Sequence, residues 1–330
     1  MLPTSATPQA AHAAGRGSLA HLPLPLFAAP MGLGGGGLAW REAAHVLGAP
    51  ALVGEALLAA ALVTWLLVTL LHLVRAAQHP EALREDLRHP VRSAFAGAFT
   101  IGLMILSAGL FRYLPEFARD LWLTAVVVHV GIGVWILRGL VTAPREAAAL
   151  TPPLLIPLVG NVLAPTVGVT LGFPHISWML FGIGVLLWVI VQPAILYRLI
   201  VGPPLPPRLR PSLVILLAPP SVALIALVRL TGQFGEAALA LFGFAAMVAL
   251  ALATLAQQLV KIPFAVSWWA WTFPTAAFAI ATQFYVRAFP DPMAAFFAWV
   301  VLLVATALLA LVTAATLRAA WQGHLVAPET

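Results

Sequence analysis

The sequence contains no cysteine. Disulfide staples, thiolate nucleophiles and zinc–thiolate centres are therefore excluded as sources of its stability or chemistry. Charge is nearly as scarce. Only 8% of the 330 residues are Asp, Glu, Lys or Arg, against roughly 25% in soluble domains. So few charges cannot cover a soluble surface of this size, and the composition places the chain in the membrane class. Acidic residues number 11, and none falls inside the odd-numbered apolar runs defined below. Intramembrane carboxylates of the kind used by proton and sodium pumps, and acidic rings of the kind used by cation channels, are missing there. The chain also lacks HExxH, Walker and GxSxG patterns. The glycine run Gly32-Leu-Gly34-Gly-Gly-Gly37 has neither the preceding strand nor the following Lys of a phosphate loop. No enzymatic activity, cofactor or metal is expected.

What is abundant is apolar sequence, 62% of the chain. A membrane helix takes about 20 such residues. Cutting at charges, prolines and polar clusters gives ten runs, at about 22–40, 52–74, 91–111, 117–136, 153–171, 176–200, 213–230, 237–260, 264–285 and 292–317. The expected fold is all-α and integral to the membrane. Residues 22–320 form one ten-helix domain, with a disordered tail over 1–21 and a short tail over 321–330. With ten spans both termini share a side. That side carries 12 of the 17 Lys and Arg residues, and the other carries Arg41, Arg112, Arg119, Arg229 and Arg287. The bias predicts a multi-pass protein of the inner (plasma) membrane with both termini cytoplasmic. The net charge of +6 comes without a basic run interleaved with aromatics, so it suits lipid headgroups rather than nucleic acid.

Gly and Pro concentrate in the odd runs. The first holds Pro30 and the glycines from Gly32. The fifth holds Pro157, Gly160, Pro165 and Gly168, the seventh Pro219-Pro220 and the ninth Pro274. Irregular backbone is tolerated in a membrane where it is buried or lines a cavity. This pattern has two readings: odd helices lining an interior with even ones facing lipid, or small residues serving close helix packing. An apolar interior without acids favours anions, drawn by the positive ends of broken helices and by peptide N–H groups rather than by fixed arginines. His72 and His129 fall within even runs, where a helix-contact role outweighs haem ligation. In the ninth run, Ser267-Trp-Trp-Ala-Trp-Thr-Phe-Pro-Thr275 puts the Phe273 ring beside a proline. Such a ring can plug a narrow pore or simply pack.

Several segments, in order through nearly the whole apolar region, resemble the TehA tellurite-resistance and C4-dicarboxylate transporter family, which includes the plant slow-type anion channels. They are Pro30-Met-Gly-Leu with Leu38-Ala-Trp40, His89-Pro-Val-Arg92, Val159-Gly-Asn161, Ala218-Pro219 and Trp268-Trp-Ala-Trp-Thr-Phe-Pro274. The resemblance implies five helical hairpins around a central pore, with odd helices inside, in a homotrimer whose protomers each hold a pore. It implies passage of small inorganic or carboxylate anions without enzymatic activity. It also implies a phenylalanine plug on the ninth helix, which by motif match is Phe273. Phe95 and Phe99 become candidate constrictions. Gly32, Gly160, Pro219 and Pro274 become the narrow inner wall, and Asn161 and Thr272, inside matching motifs, further lining candidates. The alternative on the same scaffold is a coupled carrier of C4-dicarboxylate or tellurite oxyanion. Two departures stand out. The third run lacks an internal proline, and the sixth reads Gln192-Pro193 where a bacterial relative has Glu before Pro.

Overall fold

The computed structural model describes residues 18–143 and 146–327. These residues form helices only, without a strand. The α-helices are α1 (Ala28–Val46), α2 (Ala51–Gln78), α3 (Pro80–Arg88), α4 (Ala96–Leu110), α5 (Pro115–Thr142), α6 (Leu155–Val159), α7 (Pro165–Gly168), α8 (Pro174–Val201), α9 (Ala218–Thr231), α10 (Glu236–Leu259), α11 (Thr272–Ala288) and α12 (Pro292–Trp321). Seven helical stretches among the described residues are long and apolar enough to cross a membrane.

The expected odd and even runs fold differently. The even runs are α2, α5, α8, α10 and α12, each an uninterrupted α-helix of 24 to 30 residues. Each odd run instead opens in 3-10 geometry. Leu24–Phe27 leads into α1, Arg92–Phe95 into α4, Pro207–Leu217 into α9 and Val266–Trp271 into α11. The fifth run alternates 3-10 and α turns from Pro152 to Gly168. The prolines account for part of this. Pro219 has no N–H for the Ile215 carbonyl, and Ala218 N–H serves that carbonyl instead. Pro165 likewise leaves the Asn161 carbonyl to Ala164 N–H, at 3.2 Å. A proline that would kink an α-helix therefore sits in the first turn of a new one, where its missing N–H costs little.

Burial follows the same division. In the most apolar 18 residues of Arg92–Leu110 and Pro207–Thr231, 78% and 67% of the residues are buried, against 11% to 33% in those of the five uninterrupted helices. Their outward faces expose Leu66, Val127, Leu186, Leu250 and Leu303. Each broken segment packs on the long helix that follows it, and the broken segments touch one another: α1 meets α4 and α11, and α9 meets α7 and α11. Indoles of the long helices supply donors to the broken ones. Trp65 Nε1 donates to the Phe99 carbonyl at 3.2 Å and Trp122 Nε1 to the Ala164 carbonyl at 3.1 Å. Each histidine is engaged at a different helix contact. His72 Nδ1 lies 2.9 Å from the Val68 carbonyl against the Phe27 ring, and His129 Nδ1 lies 2.7 Å from Thr100 Oγ1.

Two features were not expected. The segment between the second and third runs contains α3, whose buried Asp86 binds Arg75 of α2 and Arg92 before α4, both at 2.7 Å. Arg75 Nε also donates to the Ala20 carbonyl at 3.1 Å. The expected N-terminal tail ends in a 3-10 turn, Leu19–His21, and Ser18 N–H donates to the Val326 carbonyl at 3.0 Å. Residues 1–17 of that expected tail, and 328–330 of the C-terminal one, lie outside the described residues.

The third run has no proline, and its glycine serves a close approach. A Cβ on Gly97 would lie 2.9 Å from Pro157 Cα and 3.0 Å from Pro157 N, both rigid backbone atoms. Gly97→Ala is expected to push α4 from the fifth segment and cost about 1–3 kcal/mol, the range for overpacked cores. A fall in the melting temperature of the detergent-purified protein checks this, and an unchanged melting temperature contradicts it.

Candidate functional site

Two cavities occupy the space among the broken segments. The narrow one holds about 50 Å³ and takes residues from all five. Its wall includes Met31, Phe95, Gly160, Ile215, Pro219 and Phe273, and every lining side chain is apolar. The wide one holds about 350 Å³ and is lined toward the far ends of α1, α4, α9 and α11. There Arg41, Glu42, His45, Arg229 and Arg287 join Gly35, Thr166 and Thr170.

The two cavities share three lining residues: Leu163, Val222 and Phe273. Phe273 is in the first turn of α11, directly after the 3-10 stretch and before Pro274. Its ring is buried. A Cβ on Gly35 would lie 2.9 Å from its Cδ2, so the absence of a side chain at Gly35 provides the ring's seat. The stretch that carries it is anchored outward. Trp269 Nε1 donates to Thr316 Oγ1 of α12 at 2.9 Å, while within the stretch itself Trp268 stacks on Trp271 with centroids 5.0 Å apart.

Of the residues expected in the wall, Phe95, Gly160, Pro219, Phe273 and Pro274 border the narrow cavity. The other four sit beside it, at packing contacts. Gly32 faces the Thr272 side chain, and Thr272 donates its hydroxyl to the Trp269 carbonyl at 2.8 Å. Phe99 turns outward onto Phe27 and Trp65, with ring centroids 5.3 and 5.1 Å away. Asn161 is buried in the fifth segment, outside both linings. Leu163 and Val222, the neighbours of Phe273 in the shared wall, were not anticipated. Nothing distinguishes them in sequence from other aliphatics in the same runs.

The source of positive charge also differs from expectation. Peptide N–H groups at the 3-10 to α junctions are consumed within the helices: Thr272 N–H by the Trp269 carbonyl and Ala218 N–H by that of Ile215. The wide cavity has arginine side chains instead. Arg41 is held by Glu55, with Nε 3.0 Å from Oε1 and Nη2 2.7 Å from Oε2, and donates to the Ala108 and Gly109 carbonyls. Arg229 and Arg287 both reach Glu42, at 3.4 and 2.5 Å. All three arginines lie toward the ends of odd runs on one side, so the sequence carried the signal. Glu42 was placed in a connection, yet it is a buried residue of α1. No group of three or more His, Asp or Glu side chains suited to a metal occurs among the described residues.

Comparison with known proteins gives the chain its family. A family described as "SLAC1: Voltage-dependent anion channel" matches residues 21–317. The S-type anion channel SLAH3 of Arabidopsis thaliana is 25% identical over 289 residues, covering 83% of this chain and 45% of that protein. The tellurite resistance protein TehA homolog of Haemophilus influenzae is 27% identical over 274 residues, covering 80% and 81%. The guard cell S-type anion channel SLAC1 of Arabidopsis thaliana is 23% identical over 320 residues, covering 92% and 57%. The chain thus spans about half the length of these plant relatives and about four fifths of the bacterial one. With nearly its whole apolar region matched, the chain belongs to the SLAC1 family of voltage-dependent anion channels.

Proposed function

We propose that this protein is a gated anion channel whose pore runs from the narrow cavity to the wide one and is closed by the Phe273 ring. The observation that carries this reading is the shared wall: Phe273, with Leu163 and Val222, stands between two cavities that otherwise have separate linings. In the same proposal, ten spans form five hairpins with the broken segments inside. The pore domain covers residues 22–320, and both termini face the cytoplasm of a plasma-membrane protein. Three protomers assemble, each with its own pore, as the family resemblance implies.

The chemistry of the two cavities suits anions. An apolar chamber offers no site at which an ion is held tightly, so passage is not limited by release. Its selectivity follows the cost of stripping water from the ion, which places nitrate ahead of chloride. The arginines at the wide mouth raise the local anion concentration and oppose cations. A coupled carrier would need a group that takes up the driving ion. Among the described residues the only carboxylate in either lining, Glu42, is bound to two arginines.

Two measurements test this. In planar bilayers, Phe273→Ala is expected to raise anion current at least about tenfold, a change equal to about 1.4 kcal/mol of barrier. The reversal potential should follow the chloride gradient, with nitrate more permeant than chloride. An unchanged current in a folded variant removes Phe273 from the gate. The second test uses the cysteine-free background. Ala277→Cys, in the wide cavity, should react with a charged thiol reagent only from the side opposite the termini. Ala218→Cys, in the narrow cavity, should react only from the termini side. Adding Phe273→Ala should open both positions to both sides. Labelling that ignores the added substitution contradicts a partition at Phe273.

A further inference from the structure

We infer that Arg229 and Arg287 form an anion-binding subsite at the wide mouth, and that Glu42 fills it with a tethered carboxylate that competes with permeant anions. The inference rests on the channel reading for its role in conduction, though the binding it describes does not require conduction.

Charge accounting makes the first argument. Of the three arginines in the wide cavity, Arg41 is neutralised by the two-pronged contact with Glu55, to which Tyr113 also donates at 2.9 Å. Among the described residues, Arg229 and Arg287 have only Glu42 between them. The two arginines and their one carboxylate leave a surplus of one positive charge in the cavity that Phe273 borders. A pair built only to brace α1, α9 and α11 would not need this surplus.

Geometry makes the second. Arg287 Nη2 lies 2.5 Å from Glu42 Oε1, and Arg229 Nη2 lies 3.4 Å from Oε2, so two guanidinium groups converge on the two oxygens of one carboxylate. Both guanidinium groups lie over the Phe284 ring, 5.0 and 5.6 Å from its centroid, a cation–π arrangement that fixes their height and direction. Their other nitrogens make no hydrogen bond among the described residues. The arginine side chains are 39% and 49% exposed, against 11% for Glu42. The buried partner is thus the acid, while the donors keep open faces toward the cavity. A second small anion, a halide or a carboxylate, can accept from those faces and share or replace Glu42. Guanidinium suits carboxylates especially well, and the ion pairs to Glu42, one from each arginine, show that a carboxylate is accommodated between them.

The consequence is a built-in limit on affinity. Two guanidinium groups without a counter-charge would hold an anion long enough to slow its passage; the fixed carboxylate lowers that affinity while leaving enough field to attract.

The test is single-channel conductance against chloride concentration in the Phe273→Ala background, with chloride varied on the side opposite the termini. Glu42→Gln, which keeps the shape and removes the charge, should lower the half-saturating chloride concentration about tenfold, and Arg287→Gln should raise it by a similar factor. Both curves should approach the parent at high salt, where screening removes the difference. Acetate on that side should inhibit chloride current more strongly in Glu42→Gln than in the parent. If the triad is only a brace, both variants lower the melting temperature and leave the half-saturating concentration unchanged, which overturns the inference. If Phe273→Ala carries no current, the channel reading fails and the subsite is judged by binding alone. Acetate at constant ionic strength, balanced with a bulky sulfonate, should then raise the melting temperature of Glu42→Gln more than that of the parent, and not that of Arg287→Gln. Equal shifts in all three overturn the subsite as well.

Discussion

Backbone hydrogen bonding away from water is the constraint on which the rest of this structure depends. An unserved carbonyl in lipid costs several kcal/mol, yet the interior is built from segments carrying prolines at Pro157, Pro165, Pro219 and Pro274. Two of the breaks share one solution. Where Pro165 or Pro219 cannot donate to the carbonyl four residues back, the preceding residue donates to it from three residues away. The local winding tightens to 3-10, and the α-helix starts afresh with the proline in its first turn. Hydroxyls such as Ser221 and Thr282 donate back into their own helices, and the Trp65 and Trp122 indoles reach in from the long helices. The broken segments can therefore be buried, while unbroken helices, needing no such help, face the apolar surroundings.

The same solution decides where charge can act. Junction amides already spent on 3-10 bonds offer little to a passing ion, so the helix breaks do not supply the field that broken helices provide elsewhere. The charges belong to side chains lining the wide cavity, Arg41, Arg229 and Arg287. The narrow cavity stays neutral and apolar from Met31 to Pro274. An ion crossing it would exchange water for methyl groups and rings, a cost only partly offset by the arginines. That arrangement gives low affinity and weak discrimination by coordination, which is compatible with flux and incompatible with a storage site.

How much of this was legible in sequence depends on what kind of signal each residue leaves. Phe273 was legible because a proline follows it and a distinctive tryptophan cluster precedes it. Pro219 and Gly160 were legible because breaks in an apolar run are rare. The odd–even alternation survived because Gly and Pro record backbone geometry directly. Thr272 and Asn161 lie outside both cavity linings for the opposite reason. Each is the neighbour of a lining residue, and one residue along a helix turns a side chain about 100° away. The Phe99 ring is instead taken up by contacts with Phe27 and Trp65, which no local pattern announces. Gly32 belongs to the contact between α1 and α11, where the small-residue packing reading holds. The Glu42 cluster was beyond reach, since positions 42, 229 and 287 come from three segments and only the tertiary fold brings them together.

The seat of Phe273 constrains what can move. Turning the Val266–Trp271 stretch into α-helix would shorten it by about 0.5 Å per residue and rotate everything after it. Pro274 opposes that change, because it cannot donate the α-type bond to the Ala270 carbonyl. The Trp269–Thr316 bond holds the same stretch from outside, and the Trp268–Trp271 stack braces it from within. Backbone rewinding is thus the expensive route for displacing the ring. Side-chain rotation asks less: the ring must leave the face of Gly35 and find space, and the wide cavity lies on one side of it. In the proposed channel the mobile element is then a single aromatic side chain on a fixed backbone. Gly35 matters to it as much as Pro274 does, one by leaving room for the ring and the other by keeping the backbone beneath it in place.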